Sequence, residues 1–549
     1  MTRHLLQILF VFSLILFLAQ CAQQGQLTGG TKDMLPPKLL EALPAKNSTN
    51  FKEELVTLKF DEFVQVKDLS NQLIVTPRLK TQPDISADGK KIIIKFKKEE
   101  LAPNTTYRIY MGQAIADMNE SNPIPNFEYV FSTGSVIDTV EAKGDITDAF
   151  TNKPSADILV GLYYNEKTTD SLPYKKEPDY IARTNENGRF LLKNLPYKTF
   201  RVFAFSDKNK NSLYDGESER IAFLGPDLKL ISDTSIHLKL FQEEASKSFI
   251  KKTAAPYFGF TQIILNKKVK VKVSTLKAAN SANISETRIG EAKDTVSLHY
   301  RNTVDTLKLV LQNLATEKRD TLKLTLPRNN SKKRLKSFTV NTIGNKLALY
   351  DKVRLTFLNW MDTSRSDLSK IYVSSKQDSL ISDVPVKGRW KDITSFEIDH
   401  QLKEGMTYTL KIDTNAFFDL NQFTNDSSNI TFITQSKIEF GKLTLKLLFN
   451  SNKYPKQQYV VQLITDQDKV VKEQFGTNSN TTDTAATLVF TDVLPGTYFA
   501  KIIFDDNKNK KWDSGNILQK QQAEKVIINS KQLKILSDWE IEEEIQAKE

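Results

Sequence analysis

Apolar and polar side chains alternate with a period of two in the first part of this chain. Val56, Leu58 and Phe60 are separated by Thr57 and Lys59, and Tyr107, Ile109 and Met111 by Arg108 and Tyr110. Phe127, Tyr129 and Phe131 repeat the pattern ahead of Gly134, and turn signals such as Asp88-Gly89 punctuate it. A helix cannot use that period, because one face of a helix collects residues three and four apart. Half-buried antiparallel strands can. No segment offers a long amphipathic helix. The expected class is all-β, with tandem antiparallel β-sandwiches in an extended multidomain rod. The 549 residues suggest about three to five domains, and a hydrophobic content of 39% with 10% aromatics supplies cores for them.

The pattern occurs twice. Val353–Phe357 repeats the strand Leu55–Asp61, and Asp367-Leu368-Ser369 matches Asp68-Leu69-Ser70. Leu402–Tyr408 matches Leu101–Tyr107, and Ala416–Asn421 matches Ala114–Asn119. A second type of unit also returns. Leu195-Pro196 and the aromatic strand Phe200–Ser206 reappear as Leu494-Pro495 and Phe499–Phe504. Ordered matches at similar spacing indicate a duplicated pair of modules. The expected division is 1–20, a leader; 21–37, a tether; 38–134 and 335–436, the first type; 138–243 and 437–549, the second type; and 248–334, a further β-domain.

On Leu55–Asp61, Leu101–Tyr107, Asp117-Met118-Asn119 and Phe131–Gly134, the first type resembles the bacterial Ig-like domain of S-layer SbsA type. On Thr184–Phe190, Leu195-Pro196 and Phe200–Ser206, the second resembles the transthyretin-like or carboxypeptidase-regulatory β-sandwich. Both resemblances imply structural, adhesive or binding modules without catalytic apparatus.

Cys21 is the single cysteine. It follows a short basic start and the apolar run Leu5–Leu18, which at about 14 residues suits a signal peptide better than a membrane span. Leu18-Ala19-Gln20-Cys21 resembles a bacterial lipobox, with Gln20 where a small residue is usual. The resemblance implies cleavage before Cys21 and a covalent diacylglyceryl and acyl lipid on it. Two or more chains give stable anchoring. The expectation is an outer-membrane lipoprotein on the periplasmic face or cell surface. Ala22–Leu27 carries no acid, which leans towards the periplasm. Residues 22–37, polar and rich in Gly and Pro, read as a flexible tether.

A net charge of +11 attracts polyanions, which for an exported chain means lipid phosphates or acidic glycans and not nucleic acid. The alternation of Lys268, Lys270 and Lys272 with Val269, Val271 and Val273 reads as a protected strand edge. The expected partners are the membrane, through its lipid, and an envelope protein or glycan.

One constellation carries chemistry. Asp207, Asn209, Asn211 and Asp215 follow the aromatic strand of one second-type unit, and Asp505, Asn507, Asn509 and Asp513 that of the other. Both segments read D-x-N-K-N-x-x-[YW]-D. Alternate oxygen ligands suit Ca²⁺, although Ser212 and Lys510 replace the sixth-position glycine of an EF-hand and Ser218 and Asn516 its twelfth-position glutamate. The simpler expectation is an Asx-rich turn satisfying its own backbone. Tyr214 and Trp512 are expected to pack over their own loops. His4, His237, His299 and His400 are scattered, and no nucleophile, zinc or phosphate-loop signature appears. No catalytic residue is assigned, and the expected function is a non-enzymatic scaffold or adhesion protein. The alternatives are a glycan-binding or glycan-processing accessory and an envelope assembly or secretion accessory.

Overall fold

The computed structural model describes residues 33–97, 100–164, 171–245, 247–257, 259–275, 283–289, 294–301, 306–325, 338–377, 380–449, 458–477 and 485–547. The expected leader, Cys21 and all but residues 33–37 of the tether lie outside these residues. Among the described residues nearly all regular structure is β-strand. The α-helical segment Leu69–Gln72 is a single turn, and no helix among the described residues is long and apolar enough to cross a membrane.

Near the start of the described chain, strands Leu39–Leu43, Leu55–Phe60, Lys91–Lys95 and Asp84–Asp88 form one antiparallel sheet in that order. Ile74–Thr76, Thr106–Gly112 and Phe127–Ser132 form another. The alternation is realised directly: Val56, Leu58 and Phe60 meet Tyr107, Ile109, Met111 and Phe131 in one core. Residues 338–434 repeat the strand order. Phe338–Val340, Arg354–Phe357, Ser395–Asp399 and Lys387–Asp392 make one sheet, and Ile371–Gln377, Thr407–Ile412 and Ser428–Thr434 lie together in the other.

The matched motifs Ala114–Asn119 and Ala416–Asn421 have the same task. Asp117 is buried and accepts backbone N–H bonds from Glu120, Ser121 and Asn122 at 2.6, 2.8 and 2.7 Å. Burial pushes its carboxyl up, but these backbone donors outweigh it and hold the group below the usual aspartate range. Asp419, also buried, accepts from the backbone of Asn421 and Phe423 at 2.8 and 2.9 Å. Each carboxylate staples a turn.

In residues 138–243, Val140–Asp148 lies between Arg189–Leu195, antiparallel, and Thr234–Gln242, parallel. The facing layer runs Tyr180–Arg183, Leu159–Tyr164, Thr199–Phe205 and Arg220–Phe223. Residues 437–549 follow the same plan. Gly441–Leu448 lies between Ala485–Val493, antiparallel, and Glu540–Gln546, parallel; the facing layer runs Val470–Thr477, Gln458–Ile464, Gly496–Asp505 and Val526–Ile528. The strand orders correspond one for one. Between the two pairs, Ile263, Val296, Leu298, Leu307, Leu309 and Leu311 close a smaller core. Val271–Thr275 is an edge strand there; Lys270 and Lys272 are exposed while Val271 and Val273 pack inward.

The row of modules expected from the sequence is closed by a contact between its second and fifth members. In Thr199–Phe205, Phe200, Val202 and Ala204 fill the module's own core, while Phe203 and Phe205 are buried on the other face. That outer face also holds Leu159, Tyr163, Phe223 and Phe241, and Ile517, Ala523 and Trp512 of the distant module cover part of it. Gly496–Asp505 is equally two-faced: Ala500, Ile502 and Phe504 point into its own core. Ile503 packs outward with Val460, Val526 and Phe150. Strands apolar on both faces need cover on both.

Candidate functional site

The two Asp/Asn loops sit at the end of these two-faced strands, beside the junction between the modules. Each begins at the last strand residue or just beyond it. Asp207 and Asp505 are both buried. Asp207 accepts the Arg183 guanidinium at 2.8 Å and the Ser212 backbone N–H at 3.2 Å. Asp505 accepts the backbone N–H groups of Asn509 and Lys510 at 3.0 and 2.7 Å.

The amides work in the same way in both copies. Asn209 and Asn211 donate side-chain N–H bonds to Asp215 Oδ2 at 2.5 and 3.1 Å. Asn507 donates to Asp513 Oδ2 at 2.6 Å, and Asn509 donates to the same oxygen. The amide oxygens turn to the backbone. Asn209 accepts from Asn211 N at 3.2 Å and Asn211 from Leu213 N at 2.8 Å. Asn507 accepts from Asn509 N at 3.1 Å and Asn509 from Lys511 N at 2.9 Å. Side-chain bonds thus bring together Asn209, Asn211 and Asp215 in one loop and Asn507, Asn509 and Asp513 in the other, while Asp207 and Asp505 serve the backbone of their loops and, for Asp207, Arg183.

A fifth residue in each loop was missed. Both oxygens of Glu219 accept backbone N–H bonds, from Lys208 at 2.8 Å and Asp215 at 3.1 Å. Glu524 does the same for Asp506 at 2.8 Å and Asp513 at 2.9 Å. Each glutamate ties the two ends of its loop together. In the first copy it follows the last aspartate by four residues, but in the second by eleven, so no common spacing marks it in the sequence. Burial is the main influence on Glu524; it and the neighbouring Asp513 and Asp505 outweigh the two N–H bonds and raise its carboxyl above the usual range.

Lys210 and Ser212 have φ of 60° and 58°, and Lys508 and Lys510 of 63° and 65°. The sixth position therefore adopts the left-handed conformation for which an EF-hand uses glycine, but with a side chain present. The lysines turn away from the carboxylates. Lys210 donates to Asn71 Oδ1 of the first module at 2.6 Å, and Lys510 Nζ lies 5.1 Å from the centre of the Phe475 ring.

The donor set of each loop is oxygen-rich and chemically suited to a hard cation. In the arrangement described, however, Asp215 and Asp513 are each bonded by two side-chain amides. Among the described residues no group of three or more His, Cys, Asp and Glu is placed to hold a metal ion. Cation coordination by the asparagines would require both amides to present oxygen in place of N–H.

The aromatic residues before the last aspartates diverge. Tyr214 folds over its own module, 4.9 Å from the Tyr174 ring, and its hydroxyl donates to Glu243 at 2.8 Å. Trp512 crosses to the other module, with its ring 5.0 Å from Phe150, and its indole N–H donates to Glu524 O at 2.9 Å. Other bonds join the same surfaces. Ile517 N donates to Glu243 at 2.8 Å, Asn152 to Val526 O at 3.0 Å and Gln522 to Phe223 O at 2.9 Å. Lys501, buried at 1% exposure, lies 3.1 Å from the centre of the Phe150 ring. Burial pushes its amine down to about 8, against the pull of Asp468 and Asp148.

No characterised protein matches this chain in sequence. Several solved structures are similar to this chain at a low level. The major pilin subunit BcpA of Bacillus cereus is 10% identical, with 74% of this chain and 98% of that one covered and a TM-score of 0.15. The S-layer protein SbsC is 10% identical over 90% of this chain and 67% of its own, at 0.14. The BSP domain of a biofilm-associated protein is 10% identical over 74% and 97%, at 0.18. Residues 33–133 match the bacterial Ig-like domain family, which is the β-sandwich the strands of that region form.

Proposed function

We propose that this chain is a non-enzymatic, lipid-anchored protein of the cell envelope that holds β-sandwich surfaces in fixed relation for a protein or glycan partner. The observation that carries the reading is the junction between residues 138–243 and 437–549. Two modules far apart in sequence bury apolar faces against each other and share the bonds around Glu243, Trp512 and Asn152. Such a junction sets the orientation of modules, which is what a scaffold needs. Of the carboxylates buried nearby, Asp207 and Asp505 accept from backbone of their own loops, and Glu243 accepts from Ile517 N across the junction.

The two clasped modules are transthyretin-like sandwiches in this reading, supported by their common strand order with the first strand parallel to the last. The module divisions are those drawn from the sequence. Cys21 carries the lipid, which places the chain at the outer membrane, on its periplasmic face or at the surface. Membrane flotation of the intact protein and of Cys21→Ala tests the anchor, and protease shaving of sealed cells tests the side. Flotation that survives Cys21→Ala would remove the lipid from the reading. Calcium at the Asp/Asn loops belongs to the same proposal. A calorimetric titration with Ca²⁺ should give saturable heat and a higher melting temperature, both reduced by Asp513→Ala. Absence of both would leave the loops as turns only.

A further inference from the structure

A groove of about 770 Å³ runs between the first module and residues 138–243. Its walls are the outer faces of two sheets. Because side chains alternate across a strand, the residues opposite the core of each sheet line it. Arg108, Tyr110 and Glu128 come from one side, and Arg183, Arg189 and Lys193 from the other. The walls carry four cations and one carboxylate.

Not all of that charge is already used. Arg108 and Lys193 share Glu128, at 2.7 and 3.6 Å, which bridges the modules. Arg183 is paired with Asp207 at 2.8 Å and Asp157 at 3.1 Å. Arg189 is exposed, and its guanidinium has no partner among the described residues. Its backbone is held by the Asn185 side chain at 3.0 Å, in the tight turn Asn185–Arg189. The turn fixes where the side chain starts, and its planar guanidinium matches a carboxylate in two parallel bonds. The rest of the lining is rich in amides, including Gln72, Gln113, Asn126 and Asn185. Amides both donate to and accept from hydroxyl groups.

We propose that this groove binds a carboxylate-bearing oligosaccharide, with Arg189 receiving the carboxylate, Lys193 adding charge and the amide side chains receiving the hydroxyls. The volume lies within the range of about 300–1,000 Å³ usual for small-ligand sites. A cleft in which positive charge outweighs negative concentrates anions from solution, and the net charge of +11 adds long-range attraction. A neutral sugar would leave the Arg189 charge unanswered. This site goes beyond the scaffold reading and needs no lipid anchor, so either can fail without the other.

The test is calorimetric titration of the full chain with tetragalacturonate, and with maltotetraose as the neutral counterpart. Saturable binding of the acidic tetrasaccharide, at least tenfold tighter than the neutral one, is expected. Arg189→Ala should weaken it tenfold or more, Arg189→Lys by less, and Lys193→Ala about threefold. Lys270→Ala, an exposed residue just before the edge strand of another module, should leave it unchanged. Circular dichroism of Arg189→Ala should match the parent, since the side chain is exposed. The proposal is overturned by no saturable binding, by equal affinity for the neutral sugar, by no effect of Arg189→Ala, or by an equal loss in Lys270→Ala, which would mark diffuse charge attraction.

Discussion

Replacing Lys501 with methionine should stabilise the protein at neutral pH. The amine is 1% exposed, and its pKa is pushed from 10.5 down to about 8. Each unit is about 1.4 kcal/mol, so keeping the charge in place below pH 8 costs about 3 kcal/mol. The Phe150 ring, 3.1 Å from Nζ, returns about 1 kcal/mol as a cation–π contact. The net penalty is then about 2 kcal/mol. The direction with pH follows from proton binding. Between about pH 8 and 10.5 the unfolded chain holds the proton on Lys501 and the folded one does not, so stability rises with pH across that window. The penalty is therefore present in full below pH 8 and gone above 10.5. Methionine keeps the length of the stem and packs readily against an aromatic ring. Calorimetry at pH 7 and 9.5 should show Lys501→Met ahead of the parent by about 2 kcal/mol at pH 7, with the gap shrinking at 9.5. The affected transition is the one that Phe150→Ala also moves. A variant less stable than the parent at pH 7, or a gap that does not close with pH, would refute this account of the junction.

Other outcomes follow from the same contacts. Trp512→Ala removes the ring against Phe150 and the bond to Glu524 O; a loss of about 2–4 kcal/mol and faster proteolysis between the two clasped modules are expected, measured by limited digestion. Asp505→Ala leaves the backbone N–H groups of Asn509 and Lys510 without their acceptor, which should cost about 3 kcal/mol in urea denaturation. Lys510→Gly relieves a left-handed residue at φ 65°, and the gain, after the added chain entropy of glycine, should be about 0.5 kcal/mol in the same assay.

The first module was the most legible part of the chain. Its alternation named the core residues, since burial on one face only is what a period of two records. The Asp/Asn loops were legible as a cluster because their members are close in sequence. Their closing glutamates were not, since Glu219 and Glu524 stand at different distances from the last aspartate. The junction was written more faintly. Phe200–Phe205 and Phe499–Phe504 are apolar on both faces, a sign that a second surface covers them, but a strand does not say which surface. Trp512 shows the same limit: it matches Tyr214 in sequence yet packs on another module. The groove depends on two modules meeting, and no spacing within either one encodes it.

The clasp between the second and fifth modules also gives the chain a mechanical short circuit. A pull applied between the first module and the fifth is transmitted through the second and straight across the Phe150–Trp512 contact, without passing along the intervening 194 or so residues of sequence between 243 and 437. The third and fourth modules therefore stay slack until that contact parts. When it parts, they come under tension together, and the length held between the two clasped modules is released.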